Sequence, residues 1–372
     1  TAFQESGTNN SWLRDKKVNR CLAKKNINWT EFENQAVIRG SKNRLGWDKN
    51  WFSHATSLII QNIYSLNNFQ LQKSPFDFSI DIFPKLKEYP KEFQPAGEKF
   101  ALKYLISFLE DRGKNYNRHI SQPEKSRYSC GRLSTYLAWG NITVKQVYQR
   151  VKKSPYYKTN KRAFDAFLSR VKWRSHFIQK FEVECSYENI CINKGYEQMK
   201  YANNNLLLEK WKKGQTGFPM VDASMRCLIK NGWLNFRMRA MLVSFLCHFL
   251  EQDWRRGVYH LAKLFLDYEP GIHFTQFQMQ AGVTGINSIR VYNPVKQSIE
   301  KDPDAVFLKK WIPELACIDN AFIHQPWKLT EIDLIDKSIP EFYKHPIISY
   351  KLGRTEAVKE LWSLRKNDVV KK

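Results

Sequence analysis

Two arginines, Arg237 and Arg239, close the segment running from Gly232 and Trp233 through Asn235 and Phe236. They lie within the stretch Leu234 to Asp253, which is otherwise apolar almost all round. A guanidinium held against such a stretch needs a carboxylate or a phosphate, because an unpaired charge in apolar surroundings is costly. Candidate carboxylates follow in Leu266-Asp267-Tyr268-Glu269-Pro270-Gly271-Ile272-His273. Both a structural ion pair and a charged-ligand site satisfy this pattern.

A second constellation is Ser129-Cys130-Gly131-Arg132-Leu133-Ser134, followed by Tyr136 to Gly140. Small hydroxyl and glycine residues opening a helix present N–H and O–H donors to a phosphate, and Arg132 adds charge. The same residues also make an ordinary helix cap. The third is the run Arg150 to Arg162, with six basic residues, two tyrosines and no acid. Cations interleaved with aromatics suit a phosphate backbone and an unstacked base, and a solvated surface run has the same composition.

Helical periods position these groups. Ala101, Leu105, Phe108 and Leu109 share one face, as do Val221, Met225, Leu228 and Ile229 in a helix that stops near Gly232. Leu234 to Asp253 then reads as the central helix of the core. Upstream, a helix around Trp12 to Lys24 and one short strand over Ile27 to Phe32 look like the end of an α/β unit. The expected fold is therefore mainly α, with residues 1–55 a small α/β remnant, 56–97 a proline-bearing linker and 98–372 the helical domain.

The 372 residues and an apolar fraction of 42% allow a sizeable core. Sixty Lys and Arg against 36 Asp and Glu give +24, a charge that points to a polyanion, with nucleic acid the natural partner. Seven scattered cysteines without a CxxC pair fit a reducing compartment and offer no metal site. No run of 18 apolar residues and no signal peptide is visible, so a soluble, cytoplasmic chain with no membrane partner is expected, and a monomer is favoured.

The segments Trp211 to Arg226, Gly232 to Arg239, Asp253-Trp254 and Arg290 to Leu315 resemble, in order and spacing, the FAD-binding region of the photolyase/cryptochrome family. Ser129 to Asn141 is similar to that family's flavin-phosphate segment, and the first 50 residues to the end of its antenna-binding domain. The resemblance implies a helical FAD-binding domain, an unidentified antenna pigment and an antenna domain mostly outside this sequence. It implies Ser129, Cys130, Gly131, Leu133 and Ser134 around the flavin phosphates, with Tyr116 added despite its shifted spacing. Arg239 and Asp267 fall on an ion pair flanking the isoalloxazine, and Asp267 and Glu269 on carboxylates near the flavin and ribose. Phe236 falls beside the adenine, and His273 beside flavin N5, where many relatives carry Asn or Asp. An imidazole there donates or accepts and titrates near neutral pH.

The departures carry as much information. The family's three-tryptophan electron relay reads Phe277, Trp254 and Tyr201 here, and Phe is far harder to oxidise than Trp. Trp173-Arg174 keeps a lesion-pocket pair, but the Glu expected after it is Ser175. The expected Asn, Met and stacking Trp are Phe236, Ala240 and Met279. A site built to hydrogen-bond its substrate loses discrimination without those groups. Trp173, Arg174, Met279, Arg150, Lys152 and Lys153 form the expected DNA-binding set. The implied function is blue-light-driven, FAD-dependent repair of a pyrimidine photoproduct, a lyase reaction, and the alternative is a cryptochrome-like photoreceptor without repair.

Overall fold

The computed structural model describes residues 2–4, 7–33, 36–41, 43, 45–60, 90–335, 337–349 and 356–371. Most of the expected linker, 61–89, lies outside them. The α/β part is small: β1 (Ala2–Phe3) pairs in parallel with β2 (Glu31–Phe32), and α1 (Asn9–Lys24) connects them. It is fastened to the helical body through Gln179, whose side chain accepts from the Ile38 N–H (2.7 Å) and donates to the Ile38 carbonyl (3.0 Å).

The helical body follows as α2 (Trp47–Thr56), α3 (Glu98–Glu110), α4 (Tyr116–His119), α5 (Lys125–Ser129), α6 (Ser134–Ala138), α7 (Val144–Lys153) and α8 (Lys161–Val183). Then come α9 (Asn205–Lys213), α10 (Pro219–Asn231), α11 (Phe236–Ser244), α12 (Arg255–Leu264), α13 (Pro270–Ala281) and α14 (Pro294–Lys301), before further C-terminal helices. The apolar side chains form two cores. One, under α2, α3, α7 and the first half of α8, includes Trp51, Phe108, Phe164 and Val171. The other surrounds α10, α11 and α13. The Trp51 ring meets Tyr148 of α7 edge-on at 5.5 Å, so α2 packs as part of the helical body although it precedes residue 98.

Along α3 all four expected core residues are buried. Along α10, Val221, Met225 and Leu228 are buried but Ile229 is exposed, because the contact face of this helix turns toward Met220, Cys227 and Asn231. The central helix does not run unbroken. After Ser244 it opens into a π turn, Phe245–Phe249. There the His248 ring lies 3.0 Å from the Ser244 hydroxyl and 3.1 Å from the Ala281 carbonyl, and that hydroxyl accepts from the Tyr292 N–H at 3.0 Å. The turn thus ties the end of α13 to the loop before α14.

Helix α13 crosses α8 closely at Gly271. A Cβ there would lie 2.7 Å from the Cα of Ile178, so only glycine permits the crossing. Phe181 stacks on Phe274 with centroids 5.8 Å apart at the same junction. This crossing brings Arg174 of α8 to the carboxylates that precede α13.

Candidate flavin site

Arg239, one turn into α11, donates through both terminal nitrogens to Asp267 at 2.9 and 2.8 Å, and through Nε to the Leu234 carbonyl at 2.6 Å. Its guanidinium also lies 4.0 Å over the Phe265 ring. Burial by itself raises the pKa of Asp267, but Arg239, the Ser134 hydroxyl and Arg174 together outweigh it, and the carboxyl ends below its ordinary range. Such bidentate geometry fixes orientation as well as charge.

Arg174 is buried and pairs with Glu269 at 3.0 Å, and it also reaches the Leu137 carbonyl at 3.4 Å. Expected in the DNA-binding set as half of the lesion-pocket pair, it faces inward, where burial lowers its pKa and Glu269 and Asp267 support its charge. Asp267 and Glu269 therefore meet two arginines from two different helices.

The serine-rich segment is bound to the same place. The Trp139 indole N–H donates to the Leu266 carbonyl at 2.8 Å, joining the end of α6 to the turn that carries the carboxylates. Arg112 donates to the carbonyls of Tyr128 (2.6 Å) and Cys130 (2.7 Å), which holds the backbone around Ser129 in place. Ser129 lies 2.7 Å from His119 Nδ1. Cys130 stays a neutral thiol, its pKa pushed up to about 12 by burial against the opposing pull of Arg132 and Arg112. Leu133 is buried, and a Cβ on Gly131 would press on the Phe167 ring at 3.0 Å. Tyr116 packs edge-on against Phe108 and Phe167, and burial raises its hydroxyl pKa.

Arg132 is the residue that sequence reading undervalued. Its backbone is left-handed (φ 57°), rare for a side chain larger than Gly, Asn or Asp. Its guanidinium is stacked 3.9 Å over Trp233, with Arg127 at 5.9 Å from the same ring. Burial first, then Arg127, brings its pKa down to about 10, so it remains a cation at neutral pH. Arg132 Nε, Thr135 Oγ1 and Asn235 Oδ1 are buried atoms without a hydrogen-bond partner among the described residues. Orphan groups of this kind mark a place where a polar ligand completes the bonding. A stacked cation, hydroxyls and a paired carboxylate fit the pyrophosphate, ribityl chain and ring edge of FAD.

His273 sits one turn into α13 with Phe265, Tyr268, Phe274 and Phe277 around its ring at 5.4 to 6.2 Å. Its pKa is pushed down to about 4, chiefly by burial. The expectation of titration near neutral pH is corrected by that enclosure. Nε2 lies 2.8 Å from the Val258 carbonyl, which can only accept, so the proton resides on Nε2 and Nδ1 carries a lone pair. Phe277 is buried between His273 (5.7 Å) and Trp254 (6.5 Å), and Trp254 is buried beneath Arg255. Half-buried Tyr201 packs on the same core, with Cys247 and Asp253 near its hydroxyl.

The expected DNA residues divide into three groups. Trp173 is exposed, with Arg170 over its ring at 5.6 Å. Lys152 hydrogen-bonds Tyr157 and pairs with Asp165 at 3.2 Å, while Lys153 and Arg150 are exposed. Among the positions that depart from the family pattern, Ser175 and Ala240 are buried, Met279 is half-buried and Phe236 is exposed. Next to Phe236, Arg237, Arg290, Tyr292 and Lys296 line a cavity of about 450 Å³, with Arg237 over Tyr292 at 5.6 Å. Arg290 and Lys296 were missed as site residues, and their spacing around Tyr292-Asn293-Pro294 is the signal that could have found them.

A family profile described as the FAD binding domain of DNA photolyase matches residues 167–363. The deoxyribodipyrimidine photo-lyase of Alkalihalophilus pseudofirmus is 27% identical over 365 residues, covering 93% of this chain and 75% of that protein. Cryptochrome DASH of Synechocystis is 31% identical over 241 residues, covering 63% of this chain and 48% of that protein. Among solved structures, a bacterial class III photolyase from Agrobacterium tumefaciens superposes with a TM-score of 0.77 at 20% identity, covering 98% of this chain and 79% of that one.

Proposed function

Because this chain belongs to the photolyase/cryptochrome family and carries its FAD-binding domain, we propose that it is a light-driven DNA-repair flavoprotein acting on a pyrimidine photoproduct. The observation that carries this reading is the Arg239–Asp267 bidentate pair, closed on one side by Ser134 and on the other by Arg174 and Glu269. When bound and reduced, the flavin supplies an electron under blue light. The protein's residues do the rest. Arg132 and the hydroxyls of Ser129, Ser134 and Thr135 hold the phosphates and ribityl chain. Asp267 and Arg239 orient the ring edge. His273, neutral and fixed as the Nε2–H tautomer, offers Nδ1 as an acceptor and no charge.

DNA as the substrate carrier is supported by the net charge of +24 and by the cationic cavity of Arg237, Arg290 and Lys296 beside exposed Phe236. A second reading, a photoreceptor without repair, draws on Ser175, Ala240 and Met279 where dimer photolyases place polar or aromatic lesion contacts. The two separate in one experiment. The flavin-loaded chain, chemically reduced beforehand, is illuminated with ultraviolet-damaged DNA and the dimers are counted. Light-dependent loss of dimers supports repair, and an unchanged count with protein that binds the DNA overturns it.

A further inference from the structure

Away from the flavin cradle, the start of α8 carries a second basic concavity. It has a volume of about 360 Å³ and is lined by Lys114, Asn117, Arg118, Thr159, Asn160 and Arg162. Three cations, two amides and a hydroxyl face one space, with no carboxylate among the lining residues. Its wall is anchored by the Asn117 amide, which donates to the Arg162 carbonyl at 3.2 Å.

The local pairing is uneven. Asp165 neutralises Lys152 and Lys161, and Asp111 takes Lys114 at 2.7 Å. Arg118 and Arg162 are exposed and have no acidic partner among the described residues. A merely solvated basic face has no reason to be concave or to keep its two guanidinium groups unpaired beside paired lysines. Guanidinium is also the group that grips phosphate oxygens bidentately.

The cavity continues into a track. On α8, Arg162, Ala166, Ser169, Arg170 and Trp173 fall on one side of the helix, and none of them is buried. Arg170 lies over the Trp173 ring. Eleven residues at about 1.5 Å each separate Arg162 from Trp173, or about 16 Å. That is about five base steps of duplex at ~3.4 Å per step on one strand.

We propose that Arg118 and Arg162 seat a backbone phosphate of duplex DNA flanking the site served by Trp173, so that the protein holds undamaged duplex about five base pairs from the reacting bases. This rests on the DNA-binding reading above. It assigns the concavity to positioning and affinity, with no part in flavin chemistry.

The experiment is fluorescence anisotropy of the flavin-loaded full chain on labelled duplexes across a salt series. The R118A/R162A variant is expected to reduce the slope of log K against log salt by about 1, as for one phosphate, and to weaken binding at least about tenfold at low salt. A duplex cut to about three base pairs on each side of the lesion should bind wild type and variant alike. The charge-preserving R118K/R162K variant keeps most of the slope, which excludes misfolding as the cause, and flavin content stays constant in all three proteins. An unchanged slope in R118A/R162A, with DNA binding intact, overturns the proposal. So does inorganic pyrophosphate binding that needs Arg118 and Arg162 while the DNA slope is unaffected, since the site then takes a free phosphate ligand. Absence of DNA binding by wild type defeats the DNA reading itself, a result distinct from a lost slope difference.

Discussion

The His273 imidazole lies 2.8 Å from the Val258 carbonyl through Nε2, and that contact settles which nitrogen is protonated at the heart of the site. Burial pushes its pKa down to about 4 from 6.5. The folded state therefore binds fewer protons than the unfolded chain between those values. Stability contributed by the neutral ring is complete above about pH 6.5 and is lost as the pH falls toward 4. Asp222 and Asp302, raised to about 6 by burial, act in the opposite direction, so the test is a difference. The melting temperature of H273N should fall less steeply with acid than that of wild type. Parallel curves would falsify the assignment.

Asp267 is the partner that keeps Arg239 in place. Removing its charge leaves a guanidinium, about a quarter exposed, facing a buried amide. Breaking a fully enclosed pair costs ~3–5 kcal/mol, and the partial exposure of Arg239 argues for a smaller cost, about 2–3 kcal/mol. D267N should therefore melt several degrees lower and purify with little flavin. Wild-type flavin content in D267N would show that the pair is structural alone.

How much of this was legible beforehand differs residue by residue. A cation in an apolar segment demands an anion, which made Asp267 and Glu269 candidate partners, but the pairing of Arg239 with Asp267 in particular was implied only by the family resemblance. Arg174 could not be placed. It follows exposed Trp173, yet neighbours on a helix point about 100° apart, so one faces solvent and the other Glu269. Lys152 lies in an acid-free run, but its partner Asp165 comes from the next helix, outside that run. Ile229 matched the helical period and is exposed, since periodicity gives a stripe and the neighbours decide its edges. The enclosure that displaces the His273 pKa depends on Phe265 and Phe277, which nothing in local spacing announces.

Arg132 offers a test in which stability and cofactor binding move apart. It is a largely enclosed cation stacked on Trp233, with no ion-paired carboxylate among the described residues. Replacing it with Met removes a desolvated charge while keeping much of its volume. R132M apoprotein should melt at or above the wild-type temperature, whereas its affinity for FAD should fall at least about tenfold for the lost charge-assisted contact. Equal losses in both measurements would instead make Arg132 a packing residue.

On the proposed reading, Phe277 is the position that limits flavin photoreduction. It stands between His273 and Trp254 at 5.7 and 6.5 Å, close enough for ring contact, but its benzene ring cannot hold the positive charge that a tryptophan would. Placing an indole there enlarges a buried side chain, at a cost of about 1–3 kcal/mol. F277W should therefore lose some thermal stability and yet photoreduce its flavin faster than wild type in the presence of an external thiol. The second outcome decides the matter, because overpacking alone lowers stability without speeding electron transfer. A folded F277W that photoreduces at the wild-type rate would place the effective donor elsewhere. Tyr268 is then the next residue to replace, its ring lying 5.4 Å from His273 on a side that does not pass through Phe277.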